Sequence, residues 1–373
     1  MLETIKRGYI EGYYGRLLSF ADRHMLLAHL HDLSMGAYLY APKDDVCHRF
    51  DWRRPYPEAW CTAFTAFCAA AKQKQIKILA GIAPGLDFNF ADDGSEFTAL
   101  QAKAAQLIRT GADALVLMFD DISDDISGFA EAGLTEGQAH ASLANRLQAA
   151  VGCPMLLVPR LYADEIEGDH AAYAADLNQH LDKDIAVFTC GRTIVAETIS
   201  LTDNAGTLAR HMRNQLIIWD NLYCNDYCPR RLFTGPWSGR QATDPVLLNG
   251  TGLPETDQLI LGLMAGRDRQ ELLSDAGVPD AFSAVQDCFW HPVFSGQPLS
   301  APRYDTQMML AALDQLLWRW KSPLAREWYP YLFGLRQDIL LTDKKMEDER
   351  IAKTHTPVLA EYLMGKTHEK GRQ

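Results

Sequence analysis

Residues 114–121 read ALVLMFDD, an uninterrupted apolar run that ends in two adjacent aspartates. A short run with no polar residue is typical of a strand that is covered on both faces of a parallel sheet. Similar runs recur along the chain, and their starts lie roughly 30–40 residues apart, about one strand and one helix each. The sequence therefore predicts eight strands, namely Gly8–Tyr14, Ala37–Ala41, Ile76–Ala83, Ala114–Phe119, Met155–Val158, Ile185–Thr189, Leu216–Trp219 and Val246–Asn249.

The segments between these runs carry helical patterns. Ser19 is a candidate N-cap, and Thr135 with Gln138 forms the Thr-x-x-Gln pattern of a capping box. The predicted helices are Ser19–Leu33, Glu58–Lys74, Phe97–Arg109, Thr135–Val151, Ala171–Leu181, Thr193–Ser200 with Leu208–Asn214, and Thr256–Met264.

Strands that alternate with helices predict a parallel sheet. Eight units over about 260 residues favour a closed (β/α)8 TIM barrel over an open sheet. An open doubly wound sheet is the alternative, but its usual GxGxxG signature is absent, since Gly12-x-x-Gly15 is a different pattern.

The pattern changes after about residue 270. Helices are predicted over Thr306–Lys321, Leu324–Leu341 and Asp343–Leu363, with no obvious strand. We therefore divide the chain into a barrel over residues 1–270 and a C-terminal α-helical extension over residues 271–373. The extension is rich in Trp and Tyr, and such helices must cover the barrel, each other or a second subunit. Of these, a homodimer through the C-terminal helices is favoured.

Composition excludes several classes of protein. The 373 residues include 36 basic and 48 acidic side chains, for a formal net charge of −12. Contacts to nucleic-acid phosphates need clustered Lys and Arg residues, and the sequence contains no such cluster, so no nucleic-acid partner is predicted. No apolar stretch is long enough for a membrane-spanning helix, and no secretory signal is recognisable at the N-terminus. The sequence thus predicts a folded protein without a membrane anchor.

The eight cysteines are too sparse for a disulfide scaffold. They lack paired CxxC spacing, and Cys224 and Cys228 form only CxxxC. We interpret them as reduced thiols of a cytoplasmic protein and predict no structural zinc site.

The active site of such a barrel lies at the carboxyl ends of its strands. Large aromatic residues accumulate there with carboxylates, amides and a lysine, as Tyr14, Tyr162 and Trp219 illustrate. Aromatic faces stack on the C–H faces of sugars, while carboxylates and amides bind the hydroxyl groups. The strand ends therefore indicate a neutral sugar as ligand.

Asp120 and Asp121 are the sharpest feature of these ends. Two carboxyl groups in one confined site resist joint ionisation, so one pKa rises and that group can hold a proton while the other stays anionic. A helix N-cap pair and a metal site are the alternative interpretations. The histidines do not have the spacing of a metal site.

The strand ends as a set resemble glycoside hydrolase family 84, the β-N-acetylglucosaminidases of O-GlcNAcase type. The resemblance covers about residues 5–270 in order and spacing. Its motifs are YIEGYYGR at residues 9–16, YAPKDD at 40–45, APGLD at 83–87, FDDI at 119–122, WDN at 219–221, NDY at 225–227 and TGPWSGR at 234–240.

The resemblance implies a (β/α)8 fold and hydrolysis of terminal β-linked GlcNAc with retention, in which the 2-acetamido oxygen of the substrate attacks the anomeric carbon. Asp120 would orient and polarise the acetamido N–H. Asp121 would protonate the leaving oxygen and then activate water. Neither a protein nucleophile nor a metal or cofactor is implied.

The same resemblance supplies the sugar pocket. Lys43, Asp226, Asn249 and the Gly12 carbonyl would bind hydroxyl groups. Tyr162 and Asn221 would lie at the acetamido group, and the wall around its methyl would comprise Tyr14, Thr189 and Trp219. The chain departs from the family pattern at Val158, at Arg160-Leu161 and at Leu17-Leu18, which affects pocket shape and the preferred leaving group.

The leading hypothesis is a cytoplasmic β-N-acetylglucosaminidase acting on a GlcNAc-bearing protein, peptide or glycan fragment. One alternative is a catalytically inactive GlcNAc-binding or scaffold protein. Another is a barrel hydrolase of a different glycoside, in which Asp120 would lose its acetamido partner.

Overall fold

The computed structural model describes residues 5–123, 128–203, 206–292, 294 and 305–342. The chain folds into two compact units. The first comprises residues 1–222 and 238–254, and the second comprises residues 223–237 and 255–373.

The first unit contains a closed barrel of eight parallel strands, in which each strand pairs with the next and β8 pairs with β1. The strands are β1 (Arg7–Glu11), β2 (Ala37–Tyr40), β3 (Lys77–Ile82), β4 (Ala114–Met118), β5 (Met155–Val158), β6 (Ala186–Thr189), β7 (Leu216–Asp220) and β8 (Val246–Asn249). The predicted TIM barrel is therefore confirmed, and the open doubly wound alternative is wrong.

Branched and aromatic side chains fill the barrel interior. Ile10, Leu79, Val116 and Phe188 belong to one cluster of fully buried residues contributed by different strands. At Gly8, by contrast, an added Cβ would lie 2.4 Å from the Ala37 carbonyl oxygen, so β1 and β2 approach closely only because this residue is glycine.

Six α-helices follow the strands in the described part of the first unit. They are α1 (Phe20–Asp32), α2 (Glu58–Gln73), α3 (Asp93–Arg109), α4 (Glu136–Val151), α5 (His170–His180) and α6 (Gly206–His211). Both predicted caps are confirmed, because the side chains of Ser19 and Thr135 accept from the backbone N–H three residues on, within capping boxes.

The helix predicted over Thr193–Ser200 is wrong, since this segment consists of bends and irregular backbone with an isolated β-bridge from Ile199 to Arg240. The carbonyls of Ala196 and Glu197 accept hydrogen bonds from the Arg240 guanidinium at 2.8 and 2.7 Å. The Ile199 N–H donates to the Gly239 carbonyl at 2.9 Å. Backbone groups that a helix would pair internally are thus taken by residues distant in sequence.

A buried ion pair joins β1 to α1. The Arg23 guanidinium donates to both oxygens of Glu11 at 2.9 and 2.8 Å, and the Tyr38 hydroxyl donates to Glu11 Oε2 at 2.7 Å. Arg23 is 4% exposed and Glu11 is not exposed. The two charges are opposite and joined by two hydrogen bonds, so each partner offsets the free-energy cost of burying the other.

The second unit is helical in its described part. Its α-helices are α7 (Pro254–Met264, whose first residue is the last of the first unit), α8 (Arg269–Asp275), α9 (Thr306–Trp318) and α10 (Pro323–Thr342). The predicted helices over Thr306–Lys321 and Leu324–Leu341 are confirmed with small changes of their ends, whereas Asp343–Leu363 lies outside the described residues. The domain division at residue 270 stays a prediction.

Trp328 of α10 anchors the core of this unit. It is not exposed, its Nε1 donates to Thr256 Oγ1 at 3.0 Å, and its ring lies 5.1 Å from that of Phe282. The neighbouring Glu327 carboxylate accepts from the Glu255 and Thr256 N–H groups at 2.9 and 2.8 Å, and so caps α7.

The homodimer through the C-terminal helices stays a prediction. In the part of the chain that the structure describes, no helix has the length and apolar character needed to cross a bilayer.

The Glu11–Arg23 pair yields a test of stability. We expect Glu11→Gln to lower the free energy of unfolding by about 3–5 kcal/mol, because it leaves the Arg23 charge buried without its counter-ion. Glu58→Gln, at the exposed start of α2, serves as the matched control and should cost far less. Urea denaturation measures both, and equal losses in the two variants would contradict this account.

Candidate active site

The carboxyl ends of β2 and β4 place one lysine between two aspartates. Lys43 Nζ forms an ion pair with Asp120 Oδ2 and lies 3.4 Å from Asp121 Oδ2. Lys43 is only 2% exposed, so its charge is balanced inside the protein. The two predicted catalytic carboxylates therefore share a single ammonium group.

Asp120 is the buried member of the pair, at 6% exposure. Its Oδ2 contacts Lys43, whereas its Oδ1 has no hydrogen-bond partner among the described residues. Burial raises the pKa of Asp120, the Lys43 charge opposes that shift, and the neighbouring Asp121 charge adds to it. Asp120 thus offers one buried oxygen as an acceptor.

Asp121 lies nearer the surface, and its side chain is 32% exposed. The Tyr14 hydroxyl donates to its Oδ2 at 3.1 Å and the Tyr162 hydroxyl to its Oδ1 at 2.9 Å. Burial alone would raise the pKa of Asp121, but the Lys43 charge and the two tyrosine hydrogen bonds outweigh it and lower that pKa.

The two pKa values are thus driven apart, as the sequence predicted. The raised pKa belongs to Asp120, however, and not to Asp121, which the family resemblance names as the proton donor. Neither aspartate caps a helix within the described residues, which weighs against the N-cap interpretation.

A second hydrogen-bonded cluster forms around Asn221 at the end of β7. Its Oδ1 accepts from Trp219 Nε1 at 3.0 Å and from Asn249 Nδ2 at 2.9 Å. Its Nδ2 donates to the Ile194 carbonyl at 3.0 Å and to the Cys190 sulfur at 3.6 Å. Both ends of this amide are occupied by protein groups, so Asn221 fixes the Trp219 ring.

Gly12 joins the same cluster. Its N–H donates to Asn249 Oδ1 at 3.2 Å. An added Cβ at Gly12 would lie 2.5 Å from Cζ2 of Trp219, so the glycine backbone lies directly against the indole. The structure therefore brings Gly12, Trp219, Asn221 and Asn249 into contact at the carboxyl ends of their strands, and their role in binding sugar stays a prediction.

Thr189 connects the strand end of β6 to that of β5, because its hydroxyl donates to the Tyr162 carbonyl at 3.2 Å. Tyr162, Cys190 and Trp219 belong to one cluster of buried side chains.

Asp226 belongs to the second unit, where it is half-buried beside Cys224. Its contact with the sugar stays a prediction.

The departures at strand 5 have a structural account. The Arg160 guanidinium is bound to both oxygens of Glu136 and lies 3.3 Å from the Glu167 carbonyl oxygen. Leu161 packs against Gly168. The side chains of Arg160 and Leu161 therefore contact groups other than the aspartate pair. Tyr162, the next residue, binds the pair directly through its hydroxyl, which donates to Asp121.

Sequence reasoning missed Arg49, in the loop between β2 and α2. Its Nη2 donates to the Asp121 carbonyl at 2.6 Å. The signal available was a basic residue shortly after Lys43 in a strand-end loop.

The described residues contain no group of three or more His, Cys, Asp or Glu side chains that is arranged to hold a metal ion.

Comparison with known proteins decides the family. The family model described as NAGidase, beta-N-acetylglucosaminidase, matches residues 7–249, which span the whole barrel. The chain belongs to this family. The resemblance to glycoside hydrolase family 84 is thereby confirmed, and so, at the level of the family, is the prediction of a glycoside hydrolase.

Two curated relatives in the same family carry the name Protein O-GlcNAcase, one from Rattus norvegicus and one from Mus musculus. Each is 30% identical over 240 residues, which is 62% of this chain and 26% of the relative. The chain thus spans about a quarter of the length of these relatives.

The tyrosine contacts of Asp121 yield a test that does not depend on activity. In Tyr162→Phe the carboxylate loses a donor that stabilises its charged form, so we expect the pKa of Asp121 to rise. Carbon NMR of labelled carboxyl groups during a pH titration measures it, with Tyr173→Phe, a buried tyrosine that binds His140, as control. A fall of the pKa of Asp121, or an equal rise in the control, would count against the assignment.

Proposed function

We propose that the chain is a retaining β-N-acetylglucosaminidase that uses the acetamido group of its substrate as nucleophile. The observation that carries the proposal is the unpartnered Oδ1 of Asp120, a buried acceptor held beside the charge of Lys43. A buried acceptor without a partner is costly, and the N–H of a 2-acetamido group supplies the missing donor.

The position of the two carboxylates supports a substrate nucleophile. In the two-carboxylate mechanisms the acid and its partner flank the scissile bond. Asp120 and Asp121 are adjacent in the chain and contact the same Lys43 Nζ, and we propose that they approach a bound sugar from one side. If one carboxyl group protonates the leaving oxygen, the other then lies on the same side of the sugar and cannot attack the anomeric carbon from the opposite face. The acetamido oxygen of the substrate acts as the nucleophile on that face.

In the first step the acetamido oxygen attacks the anomeric carbon and the glycosidic C–O bond breaks. Its electron pair leaves with the aglycone oxygen, which takes a proton from Asp121. Asp120 accepts the hydrogen bond of the acetamido N–H and stabilises the positive charge that develops on the oxazoline ring.

In the second step Asp121, now a carboxylate, takes a proton from water as the water oxygen bonds to the anomeric carbon. The bond from that carbon to the oxazoline oxygen breaks and the acetamide is restored. Two displacements at one carbon retain its configuration, and neither step needs a metal or a cofactor.

The low pKa of Asp121 requires substrate to change its surroundings. Tyr162, which donates to Asp121 in the protein alone, would turn its hydroxyl to the acetamido oxygen when sugar is bound. Loss of that donor raises the pKa of Asp121, while the acetamido N–H favours the charged form of Asp120. Binding would thus raise the pKa of Asp121 and lower that of Asp120, which favours the protonated form of Asp121 as the leaving oxygen departs.

The remaining predicted residues form the sugar pocket in this proposal. Lys43, Asn249 and the Gly12 carbonyl bind hydroxyl groups. Tyr14, Thr189 and Trp219 enclose the acetamido methyl. The two bonds from Asn249, to Gly12 and Asn221, give it a positioning role as well.

The relatives named Protein O-GlcNAcase support GlcNAc on proteins as the substrate class, and we propose a GlcNAc-bearing protein or peptide as partner. All eight cysteines are free thiols, which supports the cytoplasm as the site of action.

Substrate choice tests the proposal against both alternatives. We expect hydrolysis of p-nitrophenyl β-GlcNAc and no hydrolysis of p-nitrophenyl β-glucoside, since the glucoside lacks the nucleophile. Comparable turnover of the glucoside would overturn the acetamido mechanism. Binding of GlcNAc without any turnover would favour the inactive sugar-binding protein.

Leaving-group dependence tests the role of Asp121. Asp121→Asn should slow an alkyl β-GlcNAc, a poor leaving group, by ~10²–10⁴-fold and a dinitrophenyl β-GlcNAc far less. Asp120→Asn should slow both, because the acetamido group is misoriented in each case. Asp51→Asn, an exposed aspartate of the β2–α2 loop, is the control and should match wild type. Equal losses of rate for both substrates in Asp121→Asn would contradict the role of Asp121 as proton donor.

The contact of Gly12 with Trp219 gives a third experiment. In Gly12→Ala the added methyl must displace the indole, and we expect KM for p-nitrophenyl β-GlcNAc to rise by ~10-fold or more. Gly94→Ala, where an added Cβ meets open space, is the matched control. An unchanged KM in Gly12→Ala would show that Trp219 is not part of the sugar wall.

A further inference from the structure

The backbone of Asp121 has an unusual conformation. Its φ of 55° is in the left-handed region, as are Ser34 and Gln75 among the non-glycine residues described. Ser34 and Gln75 each follow the C-cap of a helix, where this conformation is common. Asp121 follows a strand end instead, so the surrounding structure must hold it in place.

Arg49 is the group that holds the Asp121 peptide. Its Nη2 donates to the Asp121 carbonyl oxygen at 2.6 Å, and its side chain is almost completely buried. A hydrogen bond from a buried cation to this carbonyl fixes the orientation of the peptide that follows the carboxylate.

Arg49 also reaches the carboxylate of Asp121 through Tyr14. Its guanidinium carbon lies 5.7 Å from the centroid of the Tyr14 ring, within cation–π range. The hydroxyl of that ring donates to Asp121 Oδ2 at 3.1 Å. One side chain therefore supports both the backbone and the side-chain hydrogen bond of Asp121.

The other buried arginines of the first unit have a different arrangement. Arg23, Arg160 and Arg240 each bind both oxygens of one carboxylate, as structural arginines do. No carboxylate of the described residues lies within ion-pair distance of Arg49, and its Nε and Nη1 have no hydrogen-bond partner there. The Arg49 charge acts to lower the pKa of Asp120 and of Asp121 without a close ion pair to either, so its buried guanidinium serves the site and not a single structural partner.

We propose that Arg49 is a positioning residue, which holds Asp121 through its carbonyl oxygen and through Tyr14 so that the carboxyl group can protonate the leaving oxygen. This role rests on the proposed function of Asp121 as proton donor. A misplaced donor slows only those reactions that depend on proton transfer. The effect is therefore specific to the leaving group.

The test compares Arg49→Met and Arg49→Lys with wild type, using an alkyl and a dinitrophenyl β-GlcNAc. In Arg49→Met we expect kcat/KM for the alkyl glycoside to fall by ~10²-fold and for the dinitrophenyl glycoside by less than ~10-fold. Arg49→Lys keeps the charge but not the planar fork, so its ratio of the two rates should lie between those of Arg49→Met and wild type. Arg54→Met, an exposed arginine of the same loop, is the control.

Equal losses for both substrates, or no loss, would overturn the positioning role. So would failure of both Arg49 variants to fold, as judged by circular dichroism, because Arg49 would then serve stability. If wild type hydrolyses neither substrate, the proposed function itself fails, which is distinct from failure of the role of Arg49 in an active enzyme.

Discussion

The site depends on one ammonium group that two carboxylates share. Asp120 and Lys43 are both almost completely buried, and each is the oppositely charged partner that makes burial of the other less costly. Asp121 contacts the same group from the more exposed side. This mutual requirement holds the ends of β2 and β4 in one arrangement, and it leaves a single oxygen of Asp120 for a neutral donor.

Neutral hydrogen bonds hold the remainder of the pocket. Asn221 accepts hydrogen bonds from Trp219 and Asn249 through its Oδ1, and Asn249 in turn binds the backbone of Gly12. The Nδ2 group of Asn221 is held by the Ile194 carbonyl and Cys190. Such fully satisfied networks are rigid in a medium of low dielectric constant. The network around Asn221 is thus uncharged, whereas the ionisable groups of the site are Lys43, Arg49 and the two aspartates. This separation suits a neutral ligand that carries one amide group.

Prediction from the sequence succeeded where the signal was local. The eight apolar runs gave the barrel, and the capping residues Ser19 and Thr135 begin their helices as predicted. It was wrong for residues 193–200, whose composition suits a helix but whose carbonyls accept from Arg240. It missed Arg49, because a basic residue in a polar loop looks like any exposed arginine until its neighbours are known.

The sequence by itself determined the barrel and the set of residues at its strand ends, including the Asp120–Asp121 pair, because hydrophobic periodicity and strand length are properties of neighbouring residues. Only the tertiary structure decided which aspartate is buried, in which direction each pKa moves, and that Arg49 binds the Asp121 carbonyl. Those outcomes depend on distances between groups far apart in the chain, such as Lys43 and Asp120, which are 77 residues apart. Electrostatic interaction follows distance in space and burial, and neither can be read from the order of the residues.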